Sequence, residues 1–340
     1  MISNYIIPVA VMNILHWVVA YDSAQHMAHR TMSNTHVAKP FQFQGNPLIR
    51  HVFSADPSAR VFDDTMYVYT SHDRDDTNSN AHFDMTDWHV FSSKDLINWL
   101  DHGPFYSLND ISWATHQAWA PDAIKRNGRY YFYYPVEQSK IGVAVSESPT
   151  YGFHDPLGKP LIDNTGNEEV VGSEPIDPAI LIDDDGQAYL YFGCRQPKVV
   201  KLKDNMIELT GDIEPVQING IDQFSETSGG GWYGEAPWVF KRGDLYYYMY
   251  SNGWQQDTTL VYGIGKSPLG PFTYMGEVMS PVGAGTSHGS ITQFNGEWYV
   301  FYHSRLLSKQ AKQRSVHMDK IHFDEHGKII RLTYQAPILP

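Results

Sequence analysis

The chain has 340 residues, of which 42% are hydrophobic and 19% charged, a balance that supplies a sizeable core and argues against disorder or a fibrous architecture. A formal net charge of −13 opposes binding to a phosphate backbone, so nucleic acid is not an expected partner. The lone Cys194 excludes an intrachain disulfide and a cysteine-based zinc site.

The first twenty residues, MISNYIIPVAVMNILHWVVA, contain an apolar run that reads as the core of a signal peptide ending near Ala20 or Ala24. The run has no basic n-region and His16 interrupts it, so an N-terminal extension with an extra strand, or a start at Met12 or Met27, stays open. A secreted or periplasmic location follows from the first reading and a cytoplasmic one from the others. The run is too short and too polar to span a bilayer, and no membrane partner is expected.

From residue 45 to 340 the chain reads as one domain built by repetition. Five segments recur: DPSARVFDDTMYVYTS from Asp56, DAIKRNGRYYFYYP from Asp122, DPAILIDDDGQAYLYFG from Asp177, EAPWVFKRGDLYYYMYS from Glu235 and HGSITQFNGEWYVFYHS from His288. Each begins on a polar residue, runs through an apolar strand, turns and ends in an aromatic strand. The turn residues Asp64, Gly128, Gly186, Gly243 and Gly296 each precede a tyrosine by three, namely Tyr67, Tyr131, Tyr189, Tyr246 and Tyr299. That shared register identifies a β-hairpin in every repeat, and the Asn-Gly and Asp-Gly turns suit the positive φ of a tight hairpin. The starts are 66, 55, 58 and 53 residues apart, enough for four strands per repeat. The pattern predicts an all-β, five-bladed β-propeller with a pocket on its central axis.

In a propeller the first strand of each blade leads toward the axis, so Asp56, Asp122, Asp177, Glu235 and His288 are expected at one mouth. Such a cluster is costly in repulsion and desolvation unless function uses it. It suits inverting glycoside hydrolysis, which needs a carboxylic acid for the leaving oxygen and a carboxylate to activate water on the opposite face of the ring. A third carboxylate beside the acid raises its pKa. The aromatic share of 14%, with 9 Trp and 22 Tyr, supplies faces for sugar rings, although propellers are aromatic-rich in any case.

The motifs ADPSARVF at 55–62, AWAPDAI at 118–124, EPIDPAILIDDDGQAYLYFG at 174–193, YGEAPWVFKR at 233–242 and SHGSI at 287–291 together resemble glycoside hydrolase family 43. The resemblance implies Asp56 as general base, Asp177 as the residue that tunes the acid and orients substrate, and Glu235 as general acid. It implies that His288 holds a calcium ion at the pocket floor, with water completing a shell that calcium prefers to build from oxygen; a histidine that only hydrogen-bonds within the cluster is the alternative. Arg314, in QRSVHMDKI, matches a substrate-binding arginine of the family, with Arg305 of YHSR as its rival. Trp119 is the first choice for a ring facing the sugar, with a buried structural role as the alternative. His72 lies just past the base strand and is a further substrate-binding candidate, whereas Trp88 is expected between blades.

The expected activity is exo-hydrolysis releasing β-D-xylose, α-L-arabinofuranose or both from xylo-oligosaccharides or arabinoxylan. An endo- or exo-α-1,5-L-arabinanase and a non-catalytic carbohydrate-binding propeller are the alternatives, and the oligomeric state is not fixed. Two local patterns carry no weight. Gly285-Thr-Ser-His-Gly289 mimics a nucleophile elbow, but a hairpin follows it where a helix is required. Asp183-Asp-Asp-Gly186 suggests a calcium loop, but position twelve is Cys194 in place of a glutamate.

Overall fold

The computed structural model describes residues 37–76, 82–165, 173–221, 231–254 and 257–334. The N-terminal run read as a signal peptide lies outside the described residues. Blade one holds β1 (Lys39–Gln42), β2 (Ser54–Phe62), β3 (Thr65–His72), β4 (Asp87–Ser93) and β5 (Asn98–Ser107), followed by a short 3-10 turn at Leu108–Asp110. Blade two holds β6 (Asp122–Arg126), β7 (Arg129–Val136), β8 (Lys140–Ser146) and β9 (Ile162–Asp163). Blade three holds β10 (Ala179–Ile182), β11 (Ala188–Phe192), β12 (Lys198–Leu202) and β13 (Leu209–Pro215). Blade four adds β14 (Ile218–Asn219) to β15 (Glu235–Arg242), β16 (Leu245–Ser251), β17 (Leu260–Gly265) and β18 (Phe272–Glu277). Blade five holds β19 (Gly289–Phe294), β20 (Glu297–Ser304), β21 (Ser315–Phe323) and β22 (Ile329–Ile330).

Within each blade the four main strands are antiparallel neighbours in chain order, β1 joining at the outer edge of blade one and β14 running parallel to β18. This is the five-bladed propeller that the repeats predict. Its ring closes where residues 46–54 bond to the last blade: Leu48 N–H donates to Val316 O at 2.7 Å, Ser54 N–H to Arg314 O at 2.9 Å, and Asn46 pairs with both Met318 and Asp319.

The aromatic second strands are explained by two-sided burial. Side chains alternate across a strand, and here both faces press against a neighbouring blade. Tyr130, Phe132 and Tyr134 of β7 pack with Tyr69, Trp88 and Tyr106 of blade one. Tyr131 and Tyr133 of the same strand pack with Ile180, Leu190 and Phe192 of blade three. Trp88 is fully buried between blades and its indole N–H donates to Trp119 O. No helix among the described residues is long and apolar enough to cross a membrane.

The second-strand pairings give a common register around the ring. Ser58 lies opposite Tyr69, Asp122 opposite Tyr133, Ala179 opposite Tyr191, Val239 opposite Tyr248 and Ser290 opposite Phe301. Two residues before this level stand Asp56, Ala120, Asp177 and His288. Asp122 therefore sits one step deeper than its presumed counterparts.

Candidate active site

The first strands of blades one, three and four share a kink at their axial ends. Asp56 has φ 54°, Asp177 φ 56° and Ala236 φ 61°, each immediately before a proline. Proline pushes the preceding residue toward extended conformations, and a non-glycine residue in the left-handed region there is strained, at a cost of about 1–3 kcal/mol each. In β2 and β15 the kink coincides with a bulge, between Ala55 and Ser58 and between Glu235 and Trp238. These kinks turn Asp56, Asp177 and Glu235 into one cavity of about 450 Å³, shared with His288, Trp119 and Arg314.

Asp122 does not join them, which corrects the expectation that all five repeat-leading residues converge. It follows a proline where Asp56 and Asp177 precede one, its strand pairs regularly, and its side chain is wholly buried below the pocket. There it accepts from Ser58 Oγ at 2.5 Å, Arg60 Nε at 2.9 Å and the N–H groups of Ala123 and Ile180 at 2.7 Å each. The Arg60 guanidinium also covers the Trp238 ring at 4.1 Å. Asp122 thus stitches blades one to three, and Ala120 takes the equivalent pocket position.

Asp56 is the most heavily braced of the three carboxylates. Its Oδ1 receives Arg314 Nη1 at 2.9 Å and its Oδ2 receives Ser71 Oγ at 2.5 Å. Its N–H donates to His303 Nδ1 at 3.1 Å, leaving the other ring nitrogen to Thr286. Burial alone would raise the carboxyl, but the Arg314 guanidinium, together with His303 and His288 beside it, outweighs burial and holds Asp56 far below the usual carboxylate range. Arg314 is itself fixed by Asp73, which accepts from its backbone N–H, Nε and Nη2 at 2.7–2.9 Å.

Asp177 and Glu235 are pushed the other way. Asp177 accepts the Ala236 N–H at 2.9 Å, yet burial, reinforced by the charges of Glu235 and Asp56, raises it well above the carboxylate range. Glu235, the least covered of the three, is raised to about 7, chiefly by burial, against the pull of a hydrogen bond from Trp254. Near neutral pH, then, the Asp177–Glu235 pair retains a proton while Asp56 carries none. Carboxylates whose environments separate their pKa values in this way divide into acid and base.

His288 stands with Nδ1 4.0 Å from Asp56 Oδ1 and 3.9 Å from Asp177 Oδ2. Burial lowers its pKa to about 4, so its ring presents a neutral lone pair. That donor fits a cation at one position only, and a hard ion would need water oxygens for the rest of its shell.

Two of the sequence candidates lie elsewhere. His72 is not part of the cavity lining: its Nδ1 pairs with Asp87 Oδ1 at 2.8 Å, because strand alternation turns it away from Ser71 and Asp73. Arg305 is also absent from the lining, and Arg314 fills the arginine position. Trp119 lines the pocket, its indole N–H donating to Phe83 O at 2.8 Å and its ring meeting His82 edge-on. Sequence reasoning missed Phe83, Glu174, Arg195 and Trp254, all on loops between strands. Arg195 caps the Trp254 ring at 5.1 Å and reaches Glu174 at 3.4 Å. No repeat register reaches these loops; only the single tryptophan directly after a repeat, in SNGW, hinted at Trp254.

The family model described as glycosyl hydrolases family 43 matches residues 44–329. A xylosidase/arabinosidase of Humicola insolens is 37% identical over 334 residues, covering 84% of this chain and 98% of the relative. A xylosidase/arabinosidase of Bacteroides ovatus is 34% identical, covering 82% and 95%. Among solved structures, a β-xylosidase/α-arabinofuranosidase from a compost metagenome, in complex with xylotriose and calcium-free, superposes with a TM-score of 0.76 at 33% identity, covering 87% of this chain and 99% of that one. A family 43 enzyme of Xanthomonas citri, solved with xylose, gives 0.74 at 33% identity, covering 88% and 94%. The chain belongs to glycosyl hydrolases family 43 and is an inverting glycoside hydrolase.

Proposed function

We propose that the enzyme is an exo-acting glycosidase that releases β-D-xylose, α-L-arabinofuranose or both from xylo-oligosaccharides or arabinoxylan. The observation that carries the division of roles is the opposite ionisation of two carboxylates in one cavity, Asp56 held charged by Arg314 together with His303 and His288, and Glu235 raised to about 7. The substrate class rests on the relatives named xylosidase/arabinosidase, and a cavity of about 450 Å³ suits a chain end better than a long polymer.

In this reading the Asp56 carboxylate takes a proton from a water as its oxygen attacks the anomeric carbon. The glycosidic C–O bond breaks on the opposite face, and Glu235 gives its proton to the departing oxygen. Asp177, pushed up in part by the charge of Glu235, shares with it the proton that the pair retains, and it holds the Ala236 amide, one peptide from the acid. Trp119 and Trp254 offer ring faces to the sugars. His288 would hold a calcium ion largely through water, and such an ion would offset the negative charge gathered around the axis.

Release of 4-nitrophenol from its β-xyloside or α-arabinofuranoside tests the substrate, and proton NMR of the first product anomer tests the single displacement. Absence of both activities between pH 4 and 8 would overturn the substrate class, and a retained first anomer would overturn the assigned roles.

A further inference from the structure

Behind the active site, on the opposite face of blade one, three side chains converge that the hydrolytic reaction does not use. His72 ends β3, and on the neighbouring β4 Asp87 and His89 flank Trp88, which pairs with Ser71, while His89 pairs with Thr70. Ser71 and Asp73, on either side of His72, point to the axis, where they hold Asp56 and Arg314. His72 points the other way.

We propose that His72, Asp87 and His89 form a binding site for one divalent transition metal ion of the zinc class, with two imidazole nitrogens and one carboxylate oxygen as its protein ligands. His72 Nδ1 lies 2.8 Å and His89 Nε2 3.3 Å from the same Asp87 Oδ1, and the three donor atoms fall within 4.8 Å of one another. Around zinc, with bonds of about 2.0–2.2 Å, neighbouring tetrahedral donors stand roughly 3.3 Å apart. Two edges of that figure are therefore already close to the required length, and only the edge between the imidazoles has to adjust.

Hydrogen bonding alone leaves this arrangement poorly satisfied. Both rings aim a nitrogen at one oxygen while their centroids are 4.4 Å apart, so charging both rings sets two cations against each other. His89 is nearly buried, and the nitrogen it turns to Asp87 is Nε2, the one a metal would take; Nδ1, which has no hydrogen-bond partner, would then carry the ring proton. Thr86 Oγ1 donates to Asp87 Oδ2 at 3.1 Å, a brace that keeps Oδ1 turned toward the two rings. Side-chain exposures of 23% for His72 and 20% for Asp87 give an ion a route in and leave room for water in the fourth position. Imidazole and carboxylate together favour zinc and its neighbours over calcium or magnesium.

The site would pin the ends of β3 and β4 together, one peptide from each of the two residues that steady Asp56. The test is calorimetric titration of the full chain, stripped with EDTA and dialysed, with zinc chloride, alongside thermal melting. The expected result is one equivalent bound by the wild type that is missing in both His72→Asn and His89→Gln, with a melting temperature that rises on zinc addition only when both histidines are present. His72→Asn decides the matter if the buried His89 variant does not fold, since His72 is the more exposed of the two histidines. The His288→Asn variant separates this site from the axial one and should keep the equivalent. No stoichiometric binding, binding unchanged in His72→Asn, or binding lost in His288→Asn alone would each overturn the proposal.

Discussion

Arg314 and Asp56 meet at 2.9 Å with only 3% and 7% of their side chains exposed, and Asp73 grips the same guanidinium from the other side at 2.8 Å. One cation is shared between two buried carboxylates, and it is the largest of the influences, with His303 and His288, that keep Asp56 ionised where burial would protonate it. Replacing Arg314 with Gln should let the Asp56 carboxyl rise, moving the acid limb of the kcat/KM profile to higher pH by about a unit or more. Arg314→Lys keeps the charge but not the fork that reaches both partners, and should fall between. An acid limb that stays in place in Arg314→Gln would remove Asp56 from the role of base. The sign agrees with stability: a depressed carboxyl contributes above the ordinary carboxylate range and loses that contribution only as pH falls through its lowered value.

Glu235 should set the other limb. Its carboxyl, raised to about 7, must be protonated to act, so kcat/KM should decline as pH rises through about 7. Glu235→Gln should lower kcat by roughly 10²–10⁴-fold, the usual worth of a positioned acid, while substrate still binds. The linkage runs opposite to that of Asp56: the folded state holds the proton that the unfolded chain releases near pH 4.5, so this group's contribution falls as pH rises from about 4.5 to 7. A profile flat from pH 6 to 9, or a glutamine variant with intact turnover, would show the acid to be misassigned.

The fold was legible because five hairpins share one register, and a hairpin's turn and aromatic strand are local features. The convergence of Asp56, Asp177 and His288 was legible for the same reason. Asp122 was misread because its acidic character matched the other repeats while its backbone did not: Asp56 and Asp177 take a left-handed kink that turns them into the pocket, whereas Asp122, with Pro121 before it, sits in a regularly paired strand. His72 was misplaced because alternation along β3 turns every second residue away from the axis. The loop residues Arg195 and Trp254 had no periodic signal, since their positions are set by packing across blades.

Asp122 gives a prediction of the opposite kind from Asp56. Its carboxylate is sealed among Arg60, Ser58 and two amides, so Asp122→Ala leaves Arg60 buried without its partner. Breaking such a pair from one side costs about 3–5 kcal/mol. The denaturant midpoint should drop accordingly, while the folded fraction retains its pH profile. An unchanged midpoint would mean that Arg60 finds another partner, with Ile180 O, already at 2.8 Å, the nearest one.

Removing divalent ions tests the axial cation. With an ion near His288, chelation should reduce activity and calcium should restore it, and His288→Asn should be insensitive to both. Equal activity with and without chelator in the wild type would assign His288 to hydrogen bonding in the cluster alone.

Trp254 links the pocket wall to the chemistry. Its hydrogen bond to Glu235 favours the ionised acid and opposes the effect of burial, and its ring is held between Arg195 at 5.1 Å and Trp232, edge-on at 5.1 Å. Trp254→Phe keeps most of the apolar face and removes the N–H. Glu235 should then hold its proton to higher pH, so the basic limb moves in the alkaline direction, while KM changes less than in Trp254→Ala, where the stacking face is lost as well. The two substitutions separate the roles: a limb shift common to both reports the hydrogen bond, and a KM rise confined to the alanine variant reports the ring. A basic limb that stays put in Trp254→Phe would mean that Glu235 takes its proton affinity from burial and neighbouring charge alone.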